Sequence, residues 1–120
     1  MESNMFDYES LKAAEQFGIK KYQDAVYRGE LINGRRNGVG VMVYRKNRVY
    51  EGSWIDDVRE GKGYERYSNG NRYEGDFSKG KAHGKGVYNW ANGEEYDGEW
   101  SGGVKDGYGM WRGIFGDSYL

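Results

Sequence analysis

Residues 73–95 read YEGDFSKGKAHGKGVYNWANGEE, and the same 23-residue phrase returns, with substitutions, on both sides of it. Reading outward gives four blocks without insertion or deletion: 27–49, 50–72, 73–95 and 96–118. Tyr opens each block, at Tyr27, Tyr50, Tyr73 and Tyr96, and Gly follows two residues later, at Gly29, Gly52, Gly75 and Gly98. A large apolar residue comes next at the same spacing: Leu31, Trp54, Phe77, Trp100. A Gly-x-Gly pair closes the middle, at Gly38/Gly40, Gly61/Gly63, Gly84/Gly86 and Gly107/Gly109. Self-similarity at a fixed period of this length marks a repeat architecture, in which each unit buries its neighbour.

Two turn signals alternate inside each block. Asn33-Gly34, Lys79-Gly80 and Gly102-Gly103 lie early; Lys46-Asn47, Asn69-Gly70 and Asn92-Gly93 lie late. Such pairs supply the positive φ that tight hairpin turns require. The runs between them have strand length. Each block therefore reads as two antiparallel strands. The expected fold is all-β: an elongated, twisted antiparallel single-layer β-meander of repeat hairpins.

The Y-x-G-x-W/F…H/N-G-x-G pattern resembles the MORN repeat (membrane occupation and recognition nexus), over residues 27–118. The departures are Leu31 for the aromatic, Asp57 for the glycine found at 34, 80 and 103, and Glu60 and Asp106 where His83 fits the motif. Gly113 stands where the other blocks carry Tyr44, Tyr67 and Trp90, which predicts an irregular last hairpin. The resemblance implies a single elongated sheet with a shallow groove. It also implies a non-enzymatic scaffold, as in cytoskeletal, ciliary and membrane-junction proteins.

The flanks complete the domain plan. In residues 1–26, Leu11, Ala14, Phe17 and Tyr22 recur near helical spacing, with Asp7 or Ser10 as a cap and Gly18 as a stop. This predicts a short N-terminal helix as cap over the first sheet edge. Residues 119–120 stand where a fifth repeat would begin, which raises two expectations: a regulatory fragment of a larger MORN-containing protein, or self-association through an uncapped C-terminal sheet edge.

Composition narrows the chemistry. The 120 residues contain 21 Gly, no Pro and no Cys, so disulfides and thiolate chemistry are excluded. Aromatics reach 17%, too many for a disordered Gly-rich chain. His83 is the single histidine and fits a repeat position rather than a metal site. Residues 75–82 resemble a phosphate loop, but no Ser or Thr follows Lys81 and no helix is signalled after it. Ser78 and Ser101 fall in turns and suit no triad. No enzyme and no cofactor is expected. The acidic, polar N-terminus is neither a secretory signal nor a transit peptide, so a cytoplasmic location is expected, cytoskeletal, ciliary or peripheral to a membrane.

Alternation along the strands puts the Tyr, Gly and Trp/Phe positions on one face and Glu30, Glu51, Glu74, Asp76, Asp97 and Glu99 on the other. No second layer is encoded, so the rings are expected to remain partly exposed as a groove. The expected anchors for a helix or extended segment of a protein partner are Tyr50, Trp54, Tyr73, Phe77, Tyr96 and Trp100, with Tyr67, Trp90 and Trp111 as a second set. Charge offers a competing surface. The first block carries Arg28, Arg35, Arg36, Arg45, Lys46 and Arg48 against Glu30, a net +5 in a chain of net −1. That patch predicts either anionic phospholipid (phosphoinositide) binding or an acidic partner. The overall charge argues against nucleic acid.

Overall fold

The computed structural model describes residues 16–115 and 118–119. Among the described residues the protein is one antiparallel sheet whose strands follow sequence order without a crossover. The strands are β1 (Phe17–Lys21), β2 (Ala25–Ile32), β3 (Arg35–Tyr44), β4 (Val49–Ile55), β5 (Val58–Arg66), β6 (Arg72–Ser78), β7 (Lys81–Asn89), β8 (Glu95–Ser101), β9 (Val104–Arg112) and β10 (Ser118–Tyr119). Strands β2 to β9 are the four hairpins read from the sequence. The early turns carry positive φ at both central residues, as at Lys79 (52°) and Gly80 (82°), the conformation whose twist matches the flanking strands.

The N-terminal helix meets a correction. Its described end is strand β1, paired with β2 from Phe17↔Glu30 to Lys21↔Val26, and Gly18 faces Gly29 instead of ending a helix. The rest of the expected helix, with Leu11 and Ala14, lies outside the described residues. An open edge on β2 offers unpaired backbone groups, and pairing with it outweighs a short isolated helix, which is marginal in water. Strand β1 behaves as the second half of a repeat: Gly18 and Tyr22 are four residues apart, as are Gly40 and Tyr44. At the other end, Ser118↔Arg112 and Tyr119↔Trp111 repeat the register of Arg72↔Arg66 and Tyr73↔Glu65.

Each repeat is bent by one irregularity, and that bend explains the motif. Between Gly29 and Leu31 the register with β3 shifts, so that Glu30 opposes Asn37, Gly38 and Val39. The same shift recurs at Ser53, Asp76 and Glu99. The first glycine of each Gly-x-Gly pair lies in this bulge, with φ of +91° at Gly38. The bulge frees a carbonyl on the facing strand, and the repeat tyrosine satisfies it. Tyr27, Tyr50 and Tyr73 hydroxyls donate to the carbonyls of Glu30, Ser53 and Asp76 at 2.7, 2.9 and 2.8 Å. To reach that carbonyl the ring crosses the second glycine. A Cβ on Gly40 or Gly86 would lie 2.2 Å from the tyrosine oxygen.

The core is this row of rings. Tyr27, Tyr50, Trp54, Tyr73, Phe77, Tyr96 and Trp100 are buried, with Met42 and, among the described residues, a single carboxylate, Glu65. Each Trp or Phe meets its own tyrosine and the tyrosine of the preceding repeat edge to face. Trp54 lies 5.6 Å from Tyr27 and 5.0 Å from Tyr50. Phe77 lies 5.1 Å from both Tyr50 and Tyr73. Trp100 lies 5.3 Å from Tyr73 and Tyr96. Such geometry contributes about 0.5–1.5 kcal/mol per pair beyond area burial.

Turns are stapled from repeat to repeat. The amide N–H groups of Asp57, Gly80 and Gly103 donate to the carbonyls of Arg36, Arg59 and Ala82 at 2.9–3.0 Å. Side chains next to the bulge add a second staple: Asn37 Oδ1 accepts from the Asp56 amide and Glu60 Oε1 from the Lys79 amide, both at 2.8 Å.

Candidate partner-binding face

The six rings expected to anchor a partner are the core. Tyr50, Trp54, Tyr73, Phe77, Tyr96 and Trp100 are each at most 8% exposed. Tyr50 and Tyr73 are covered by the rings of the next repeat, Phe77 and Trp100, and Trp54, Phe77 and Trp100 each pack on their own and the preceding tyrosine, an interlock that substitutes for a second layer. A partner on this face therefore meets other side chains first.

Those side chains are the second set of rings, on the same face and nearer the late turns. Tyr44, Tyr67, Tyr88 and Trp90 are half-buried and pack against the core from outside. Tyr67 lies 5.9 Å from Tyr88, and Tyr88 lies 4.8 Å from Trp90 and 6.0 Å from Trp100. Trp111, further along, is 38% exposed. Tyr67, Trp90 and Trp111 stand out in sequence as aromatics. Tyr88 does not, because its column holds Met42, Glu65 and Trp111 in the other repeats. A cavity of about 410 Å³ opens beside this ridge, lined by Tyr67, Trp90, Arg66 and Arg72 among others.

Cations lie among the rings. Arg48 sits 4.3 Å over Tyr44, Arg59 4.4 Å over Tyr50, Arg36 4.6 Å over Trp54 and Lys105 4.9 Å over Trp90. Glu65 is the counter-charge at the centre. Its two oxygens accept from Arg48 Nε and Arg59 Nη1 at 2.9 and 2.8 Å, and Arg59 Nη2 donates to the Tyr44 hydroxyl at 2.7 Å. Burial works against the charge of Arg59, but the Glu65 carboxylate and Tyr44 outweigh it and raise its pKa. Sequence reasoning missed this network, since position 65 carries no repeat signal. Burial also pushes the hydroxyls of Tyr27, Tyr50 and Tyr73 up to about 12, and that of Tyr67 in the same direction.

The basic first block is largely spoken for. Arg35 pairs with Asp56 at 3.1 Å, Arg36 with Asp57 at 2.9 Å, Arg45 with Asp24 at 3.1 Å and Arg48 with Glu65 at 2.9 Å. Only Arg28 and Lys46 of the six have no ion pair among the described residues. Asp57 shows how the pairing is built in. It takes a turn position with φ +71° that favours glycine, and its carboxylate accepts both the backbone amide and Nε of Arg36 at 2.8 and 2.9 Å. Burial pushes its carboxyl up, but these hydrogen bonds prevail and hold it below its ordinary value.

No group of three or more metal-ligating side chains occurs among the described residues, and no described helix is long and apolar enough to cross a membrane. A search of curated proteins finds no match to the chain. The family profile described as MORN repeat matches four times, over residues 27–47, 50–72, 73–95 and 96–113. The matched segments are the four hairpins that share the bulge, the glycine floor and the tyrosine capping the freed carbonyl. Sequence profile and geometry agree on the unit, and the chain belongs to the MORN repeat family.

Proposed function

We propose that this protein is a non-enzymatic scaffold that holds a helical or extended segment of another protein along its aromatic face. The observation that carries the reading is the half-exposed ridge Tyr44–Tyr67–Tyr88–Trp90, lying on a rigid, fully packed row of rings. Tyr and Trp give large contact area at small entropic cost when their rotamers are already held. Ring-facing cations at Arg48 and Lys105 add polar contacts at the rim. Cytoskeletal and ciliary scaffolds are the setting that the family resemblance favours.

The phospholipid reading has less support. A lipid surface needs bases free to meet head groups, and four of the six in the first block are engaged with carboxylates.

The test begins with a displayed peptide library panned on the folded protein. Selected peptides are then titrated against wild type, Tyr67→Ala and Trp90→Ala by calorimetry, with circular dichroism to confirm folding. The scaffold reading expects both substitutions to weaken binding by about tenfold or more, since truncating an interface anchor typically costs 1–2 kcal/mol or more. Peptides that bind both folded variants as tightly as wild type would exclude the ridge. In parallel, salt-sensitive flotation with phosphoinositide vesicles, lost on reversing Arg28 and Lys46, would favour the lipid surface instead.

A further inference from the structure

Two arginines stand opposed, without a counter-charge, in the middle of the sheet. Arg66 of β5 faces Arg72 of β6. The next pair towards the turn is hydrogen-bonded, with the Tyr67 amide donating to the Asn71 carbonyl at 2.8 Å. Arg66 and Arg72 are therefore a non-hydrogen-bonded pair, the kind whose side chains come closest. Both residues are exposed, and neither side chain has an ion pair or a hydrogen bond among the described residues. The equivalent pairs in the repeats on either side are Val43 with Val49 and Asn89 with Glu95, so the fold itself does not call for two cations here. Like charges directly opposite one another destabilise a sheet, which marks this pair as a cost that packing does not explain.

Both arginines line the cavity of about 410 Å³ beside the aromatic ridge, together with Asn47, Tyr67, Ser68 and Trp90. The Ser68 hydroxyl, the Asn47 amide group and the Trp90 indole N–H have no hydrogen-bond partner among the described residues. No carboxylate lines the cavity. Glu74, two residues along β6 from Arg72, forms no ion pair with either arginine. Two fixed positive charges with neutral donors around them fit a compact dianion. A phosphate monoester carries about −1.5 to −2 charges at pH ~7 and three acceptor oxygens, enough to bridge two guanidinium groups, whereas a single carboxylate answers only one. Glu51, Glu74 and Asp97 are exposed on the neighbouring strands and oppose an anionic bilayer laid across the sheet. A phosphate carried on a single chain avoids them by entering from the turns, where Gly70 and Gly93 complete the lining.

We propose that Arg66 and Arg72 receive a phosphorylated serine or threonine of the segment held on the ridge, an inference that rests on the ridge reading for the course of that segment. The phosphate bridges the two guanidinium groups, Ser68 and Asn47 supply neutral donors at its edge, and the flanking residues of the segment run over Tyr67 and Trp90. Capture is thereby switched on by phosphorylation of the partner. The bound anion also relieves the repulsion between the arginines.

The test screens the 120-residue protein against a peptide library with a central phosphoserine or phosphothreonine and random flanks. Selected peptides are titrated by calorimetry beside their unphosphorylated and glutamate counterparts. The titrations use wild type, the double variant Arg66→Gln/Arg72→Gln, and Trp90→Ala. Both arginines are exposed and unpaired, so the double variant should fold, with a urea midpoint at or above that of wild type. The expected result is binding that falls at least about tenfold on dephosphorylation, on glutamate replacement and in the double variant. Counterpart peptides that bind as tightly as the phosphopeptides, or a folded double variant that binds them undiminished, would overturn the proposal. A library without a phosphate-dependent binder would overturn it too. In that event, binding to phosphatidylinositol bisphosphate vesicles that is lost in the double variant would assign the anion to a lipid head group. Loss in the double variant with none in Trp90→Ala would support the arginine site while removing the ridge, so the two readings fail separately.

Discussion

The indole nitrogen of Trp100 donates a 3.0 Å hydrogen bond to the carbonyl of Gly86, tying one repeat to the one before it. Trp54 makes the same bond to Gly40. Phe77, in the interface between them, has the ring but no donor. A neutral hydrogen bond in such a setting contributes about 1 kcal/mol. Phe77→Trp should therefore stabilise the protein by about that amount, and Trp100→Phe should destabilise it similarly. Urea midpoints measure both; a lower midpoint for Phe77→Trp would count against the indole–carbonyl tie.

Two glycines separate steric from conformational demands. A Cβ on Gly86 would lie 2.2 Å from the Tyr73 oxygen, whereas one on Gly80 meets nothing within 4 Å. Gly86→Ala must displace a buried ring, at a cost of about 3 kcal/mol. Gly80→Ala suffers only from its φ of +82°, about 1 kcal/mol. Chemical denaturation of the two variants should preserve that order, and equal losses would refute the account of the glycine floor.

The charge network at Glu65 should dominate the electrostatics of the fold. Glu65→Ala leaves Arg59 buried without its counter-charge, and losing one partner of a buried pair costs about 3–5 kcal/mol. Asp56→Ala breaks the pair with Arg35, whose side chains are 60% and 64% exposed, and such a pair contributes less than about 1 kcal/mol. Paired unfolding curves for these variants, at low and high salt, decide the ranking. A Glu65→Ala variant as stable as wild type would show that the rings tolerate the cations alone.

Stability should fall at high pH. Unfolded phenols titrate near ~10. Burial holds those of Tyr27, Tyr50 and Tyr73 at about 12. Between these values the unfolded chain has released protons that the folded chain keeps. The contribution is therefore complete below pH ~10 and is lost as pH rises towards the folded value. Urea midpoints at pH about 8, 10 and 11, read with phenolate absorbance, follow it. Full phenolate absorbance at pH ~10 with the fold intact would contradict it. On the acid side, the Lys62 hydrogen bond and the Lys85 amide hold Asp76 low against burial, and Arg36 does so for Asp57. Their contribution is present above the ordinary carboxylate value and disappears as pH falls through the lowered one.

The hairpins, their turns and the packing partnership of ring and glycine were legible because strict periodicity aligns Tyr27 with Tyr50, Tyr73 and Tyr96. Strand β1 was not, because five residues separate Tyr22 from Tyr27 where six separate Tyr44 from Tyr50. That one-residue deletion takes Gly18 out of phase, so the strand Phe17–Lys21 does not align with the repeat. The exposure of the rings was misjudged for a different reason. Alternation within one strand says which face a ring occupies, but Tyr50 is buried by Phe77 of the next repeat. The free charge of the first block was overestimated in the same way, since the partners of Arg35 and Arg36 lie in the second block at Asp56 and Asp57.

Besides the ring of their own block, Tyr27, Tyr50 and Tyr73 each receive one from the block that follows, Trp54, Phe77 and Trp100, and the rings they meet never come from the block before. Burial thus has a direction, and it is the direction in which a ribosome delivers the chain. A nascent protein stalled after residue 72 holds Tyr50 against only its own Trp54 and Arg59, and one stalled after residue 95 adds Phe77. Maturation of the sheet therefore trails synthesis by one unit, as a front moving from the N-terminal end.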